Sequence, residues 1–272
     1  MLRTRGLTKR FGGITATDSV DFELGDELTS IIGPNGAGKT TFFNLLTGAL
    51  EPTEGTVELR TDDEWKDITG RDPYETAQLG LHRSFQITNV FPTSSVLENV
   101  RIASQAHGDN SVRFWRNVHT FDEHIEEAHA ILERVGLDGK ADIAAENLSH
   151  GEKRQLEVGI ALAGDPDVLL LDEPNAGVSS ENVDDIKALI TDVASDHAVL
   201  LVEHNMDIVM DVSDRIVVLN QGAVIADDIP EKIRGDPDVQ EAYLGGYEPG
   251  DLARNRSRTA SDDGTDSEGG VA

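Results

Sequence analysis

The stretch Gly33-Pro34-Asn35-Gly36-Ala37-Gly38-Lys39-Thr40 constrains this chain more than any other. It fits the pattern of a glycine-rich loop closed by Lys-Thr, whose backbone N–H groups wrap a chain of phosphates. The apolar run Leu28-Thr29-Ser30-Ile31-Ile32 before it reads as a buried strand. After it, Phe42, Phe43, Leu45 and Leu46 recur at helical spacing between Thr40 and Thr47, and Gly48 marks a stop. Strand, glycine loop and helix in that order predict a phosphate site at the rim of a sheet. In that setting Lys39 reaches the β- and γ-phosphates and the Thr40 hydroxyl ligates Mg²⁺, while Gly33, Pro34, Asn35, Gly36, Ala37, Gly38 and Thr41 complete the cradle. A chance glycine-rich turn is the competing reading, and the flanking strand and helix argue against it.

The rest of the chain reads as an α/β protein. Glu51-Pro52-Thr53-Glu54-Gly55 is turn chemistry and Val57-Glu58-Leu59 alternates as a half-exposed strand, which predicts an antiparallel β portion beside the site. Between about Ser95 and Gly136 no strand signal is strong, and Ile125, Ala128, Ile131, Leu132 and Val135 trace a helical stripe. Val168 to Leu171 and Ala198 to Val202 are short apolar runs separated by a helical pattern over Ser180 to Val193, so a parallel sheet is expected. Asn220-Gln221-Gly222 between Arg215–Leu219 and Ala223–Ala226 predicts a hairpin.

Val168-Leu169-Leu170-Leu171-Asp172-Glu173 ends an apolar strand in two carboxylates, which carries an aspartate to the rim of the same sheet. Asp172 is expected to hold Mg²⁺ through water, and Glu173 to take a proton from the water that attacks the γ-phosphate. About twenty residues earlier stands Leu148-Ser149-His150-Gly151-Glu152. With these motifs together the sequence resembles the ABC ATPases over roughly residues 2 to 247. His150 stands where glycine is commonest, and Ala176-Gly177-Val178-Ser179 lacks the aspartate that usually ends the loop after the catalytic glutamate.

The resemblance implies a P-loop NTPase cassette with a RecA-like parallel-sheet core, an antiparallel β subdomain and a helical subdomain at about 88–163. Together these make one ATPase domain, 1–247, followed by a polar tail, 248–272, whose composition predicts disorder. It implies ATP and Mg²⁺ as ligands, and a site completed by Ser149 and the Gly151 backbone of a second protomer, identical or a sister ATPase. Ser149 also reads as the N-cap of a helix through Leu156 and Ile160. Gln86 matches the glutamine that contacts Mg²⁺ or water, His204 the histidine that contacts the γ-phosphate, and Phe11 the aromatic that stacks on adenine, with a core phenylalanine as the alternative for Phe11. The partners implied are two membrane-spanning permeases and, indirectly, an extracytoplasmic solute-binding protein, which puts the chain on the cytoplasmic face of the membrane.

Phe11-Gly12-Gly13, Arg83-Ser84-Phe85-Gln86, Val96-Leu97-Glu98-Asn99-Val100, Glu173-Pro174-Asn175-Ala176-Gly177 and Tyr243-Leu244-Gly245 resemble the ATPases of branched-chain amino acid and urea importers. Leu148 to Lys153 followed by Leu156-Glu157 tilts the resemblance towards the urea type. The alternative is a soluble ABC ATPase uncoupled from transport. Relatives of that kind carry two cassettes, a long coiled coil or a zinc insertion, and none of these is present.

Composition narrows the partners. The 272 residues carry a formal net charge of -28, which repels nucleic acid and anionic membrane surfaces. The tail from Glu248 holds six acidic and three basic residues, so the acidity belongs to the whole chain. Such a surface with few lysines points to a halophilic cytoplasm, where salt screens the self-repulsion, with an ordinary acidic mesophilic protein as the competing reading. There are no cysteines to form disulfides or thiolate metal sites, and no run of 18 apolar residues, so a membrane role falls to partner chains.

Overall fold

A computed structural model describes residues 1–84, 90–107 and 119–244. A four-stranded antiparallel sheet comes mainly from the N-terminal part: β1 Leu2–Phe11, β2 Ile14–Leu24, β4 Glu54–Thr61 and β5 Glu64–Asp67, in the order β2-β1-β4-β5. A six-stranded sheet holds β3 Leu28–Ile32, β6 Leu81–Ser84, β7 Val168–Asp172, β8 Ala198–Val202, β9 Arg215–Asn220 and β10 Ala223–Asp228, in the order β10-β9-β3-β8-β7-β6. All its neighbours run parallel except β9 and β10. Those two form the hairpin expected at Asn220-Gln221-Gly222, where Gln221 and Gly222 both take positive φ, 49° and 86°. Two such residues in succession give the turn twist that antiparallel strands favour.

Strands buried on both faces read as unbroken apolar runs, and every residue of β3, β7 and β8 is buried. The pleat then divides them. Leu170, Leu200, Val202 and Ile31 pack with Phe42, Phe43, Leu45 and Leu46 of α1, Lys39–Leu46, and with Leu2, Leu7, Val57 and Leu59 of the antiparallel sheet. Leu169, Leu171, Val199 and Leu201 face the other way, onto α5, His150–Leu162, and α6, Val183–Val193. Helix α1 therefore lies between the two sheets, with Phe42 edge-on to Phe22 at 5.7 Å.

The expected helical stripe is present. Ala128, Leu132 and Val135 are buried where α4, His119–Arg134, packs against α5 and α3, Val96–His107. The pattern over Ser180 to Val193 is one helical turn of 3₁₀ type, Ser180–Asn182, and then α6. Two shorter helices complete the parts used below: α2, Pro73–Gln78, and α7, Met206–Val212. At the C-terminal end α8, Pro230–Gly235, and α9, Pro237–Leu244, pack on β10. Gln86 and the tail lie outside the described residues.

Candidate active site

Three adjacent strands deliver the chemistry. β8 pairs with β3 on one side and β7 on the other, with Val202 opposite both Ile31 and Asp172. Their C-terminal ends thus bring the glycine loop, the Asp172-Glu173 pair and His204 to one rim, where ligands of parallel sheets bind.

The loop after β3 is shaped by close backbone contacts. Gly33 lies so near Leu219 that a Cβ there would sit 2.1 Å from its carbonyl oxygen, and a Cβ on Gly38 would sit 2.2 Å from that of Ala16. Gly38 has φ 104° and forms the N-cap of α1, so only glycine fits both the conformation and the space. The β9–β10 turn grips the same loop: Gly222 N–H donates to Ala37 O at 2.9 Å, and Asp18 N–H donates to Gly222 O at 2.8 Å. On α9, Tyr243 rests its hydroxyl against the Gly33 backbone. Although the residue is 39% exposed, burial at that end pushes the phenol up to about 12.

The loop curls around Lys39. Its ammonium donates to Gly33 O at 2.6 Å and Pro34 O at 3.2 Å, and it is 6% exposed. Burial pushes the Lys39 ammonium below the usual lysine range, and the Glu173 carboxylate opposes that shift. Lys39, Thr40 and Thr41 line an open cleft of about 540 Å³ with Asn35, Gly36, Ala37, Gly38, Glu173 and His204.

Glu173 sits at φ 50°, an uncommon conformation for a side-chain-bearing residue, held by its N–H on Val202 O at 2.8 Å. The turn aims its carboxylate into the cleft, where Oε1 lies 2.7 Å from His204 Nε2. Asp172, one residue earlier, is 5% exposed and accepts from the Arg83 guanidinium at 2.6 Å.

Four further residues around this centre were not legible as site residues in the sequence, although Gln221 was legible as part of a turn. Glu203 is 4% exposed, and its carboxylate accepts from the backbone N–H of Asn175 at 2.9 Å, His204 at 2.9 Å and Asn205 at 3.3 Å. It therefore ties the segment after Glu173 to the segment carrying His204. Ile14, Thr15 and Gln221 line the cleft mouth. Phe11 is 48% exposed at the end of β1, which excludes the core alternative, and Ile14 stands opposite it in the hairpin.

Ser149 and Gly151 do not line this chain's cleft. Ser149 caps α5 in a capping box: its hydroxyl accepts from Glu152 N–H at 3.3 Å, and Glu152 Oε2 accepts from Ser149 N–H at 2.9 Å. Gly151 faces Val178 and Asn182, so the Ser149 motif adjoins the segment that follows Glu173-Pro174.

This geometry has counterparts. The ABC transporter family profile matches residues 18–176, and that of the branched-chain amino acid ATP-binding cassette transporters matches 223–249. The chain belongs to the ABC transporter ATP-binding cassette family. It is an ATP-binding protein and an ATPase. The cassette is 41% identical over 256 residues to the high-affinity branched-chain amino acid transport ATP-binding protein BraF of Pseudomonas aeruginosa, covering 90% of this chain and 98% of that one. The ADP conformation of MJ1267, an ATP-binding cassette of an ABC transporter, superposes with a TM-score of 0.76 at 31% identity, covering 90% and 98%. The dimeric post-hydrolysis structure of the cassette MJ0796 bound to ADP and Pi gives 0.69 at 25%, covering 85% and 99%.

The Glu203 carboxylate supplies a direct test of how the rim of this cassette is held. Glu203→Ala strands three N–H donors at the rim, and hydrogen bonds to a charged group are worth about 1.5–3 kcal/mol each. Urea unfolding should show a loss of about 2–4 kcal/mol, with turnover reduced as well. A loss below about 0.5 kcal/mol would mean that these bonds do not organise the rim.

Proposed function

We propose that this cassette powers an importer of branched-chain amino acids, hydrolysing ATP in two sites that each draw on both protomers of a dimer. The observation that carries the proposal is the division of the motifs. Lys39, Thr40, Glu173 and His204 converge on one cleft, whereas Ser149 and Gly151 do not line it.

The residues fit Mg²⁺. The Thr40 hydroxyl and the Asp172 carboxylate are hard oxygen donors at one rim, and the carboxylate is already balanced by a cation, Arg83, in the structure. Bound there with the nucleotide, the metal would draw charge from the β- and γ-phosphates. Asp172 and Thr40 would hold it, with Gln86 reaching it or its water. Lys39, partly stripped of solvent, neutralises the same oxygens and gains strength from the low local dielectric. Ile14 lines the cleft, and Phe11, paired with it across the hairpin, adds exposed apolar surface for adenine.

Glu173 takes the proton from the attacking water. His204, 2.7 Å away, fixes which way the carboxylate points and reaches towards the γ-phosphate. Ser149 and the Gly151 backbone of the partner close the site, so ATP holds the two protomers together and its hydrolysis parts them.

The C-terminal family match and the BraF likeness support branched-chain amino acids as the solute. The urea-type reading draws no support from them. Two permeases would receive the motion on the surface from Ile87 to Val100 and the adjoining helical lobe. An apolar groove of about 230 Å³ lies between α2, β6 and α5 of the helical lobe, and Glu157 Oε1 is buried at it without a hydrogen-bond partner among the described residues. A permease helix that supplies a donor to Glu157 would satisfy it. The charge of -28 supports work in molar salt, and KCl belongs in every assay.

Two measurements test this reading. Glu173→Gln should still bind ATP, elute as a dimer with it, and lose at least about a hundredfold in turnover; turnover near the wild-type rate would remove Glu173 as the base. The chain has no cysteine, so one introduced at Ile160 gives a single crosslinking handle. It should crosslink to a permease in a complex whose hydrolysis rises with a leucine-loaded binding protein and not with urea. Stimulation by urea alone, or no permease adduct, would overturn the solute or the docking surface respectively.

A further inference from the structure

The Arg83 guanidinium is placed as though it were part of the metal site. Arg83 lies on β6, opposite Leu170 of β7, and is 10% exposed. Its Nη2 donates to Asp172 Oδ2 at 2.6 Å and its Nη1 to Asn44 Oδ1 at 2.7 Å, while its carbon lies 5.6 Å from the Phe43 ring centroid. Phe43 and Asn44 belong to α1, the helix that begins with Lys39 and Thr40. One side chain thus bridges the phosphate-loop helix and the carboxylate-bearing strand.

Stability alone accounts poorly for this arrangement. A buried ion pair loses hydration on both sides, and an apolar side chain of similar volume often serves as well or better. Among the described residues Arg83 Nε is also buried without a hydrogen-bond partner, a further unfavourable feature. What an apolar residue could not supply is a positive charge against Asp172 when no metal is present.

We infer that Arg83 is the resident counter-ion of Asp172, a positioning residue that keeps the carboxylate aimed without metal and weakens its hold on Mg²⁺. The inference rests on the reading above, in which Asp172 takes the metal. A guanidinium and a divalent cation sharing one carboxylate repel each other, so Mg²⁺ is retained only when nucleotide phosphates add their own charge. Arg83 couples metal binding to nucleotide binding. Asn44 and Phe43 keep the guanidinium in place, so its charge stays near the site when the metal arrives.

The test uses binding, with hydrolysis suppressed by Glu173→Gln in every chain. The affinity for a fluorescent ATP analogue is measured in molar KCl with EDTA and with Mg²⁺, and the ratio of the two gives the tightening due to metal. Arg83→Gln, which removes the charge and can still reach Asn44, should raise that ratio roughly tenfold, the scale of one neighbouring charge. Arg83→Lys, which keeps the charge, should stay within about threefold of the parent. Melting in EDTA should be lower for Arg83→Gln, and Mg²⁺ with nucleotide should restore it. An unchanged or smaller ratio in Arg83→Gln would overturn the inference and leave Arg83 a packing residue. Arg83→Met makes the same comparison if the glutamine chain does not fold. A parent chain indifferent to Mg²⁺ would instead overturn the metal assignment of Asp172 itself.

Discussion

Parallel pairing of β8 between β3 and β7 is the constraint on which the site depends. Because Val202 stands opposite both Ile31 and Asp172, three separate stretches of chain end at one height. Each then leaves the sheet in a conformation that its local sequence permits. The loop after β3 needs glycine where carbonyls of Leu219 and Ala16 press on it, and the segment after β7 turns through a positive φ at Glu173. A slip of one residue in either pairing would send the adjoining side chains to the opposite face and take the carboxylates away from the loop.

Charge is handled at this rim by a few close pairings, buried at Lys39, Asp172 and Glu203 and more open at Glu173-His204. Lys39 sits on loop carbonyls, Asp172 on Arg83, Glu203 on three backbone N–H groups and Glu173 on His204. Each of these groups would be costly to bury alone. The same pairings define what a nucleotide must do on arrival. Under the proposed function it presents anions to Lys39 and a metal to Asp172, while Asn44 and Phe43 keep the Arg83 charge beside them. Under the same proposal, phosphates and metal therefore bind together, beside the Glu173-His204 contact.

The core of the fold was legible because its central strands β3, β7 and β8 are buried on both faces and therefore appear as apolar runs, each followed by punctuation such as Gly33, Asp172 or His204. The hairpin at Asn220-Gln221-Gly222 and the helix stop at Gly48 followed from turn chemistry alone. Within the site, residues inside a motif were legible, whereas Glu203, Arg83 and Ile14 were quoted only as flanking letters or passed over. Their roles come from tertiary proximity: Glu203 serves Asn175 across the sheet rim, and Arg83 meets Asp172 only because β6 pairs with β7. Phe11 shows the converse limit, since a single aromatic keeps a core alternative open until the hairpin that carries it is seen to leave it 48% exposed. The tilt towards a urea-type importer rested on residues around the Ser149 motif, whose local work is to cap α5, and helix capping carries no information about a solute.

The central claim is that each hydrolytic site joins Glu173 of one protomer to Ser149 of the other. Mixing Glu173→Gln and Ser149→Ala chains tests it most directly, because a mixed dimer has one site with both defects and one with neither. The account predicts that each variant alone is nearly inactive in molar KCl and that the mixture regains ATP hydrolysis as mixed dimers form. A mixture no more active than its separate components, beside an active wild-type chain, would contradict it and place the whole reaction within a single protomer.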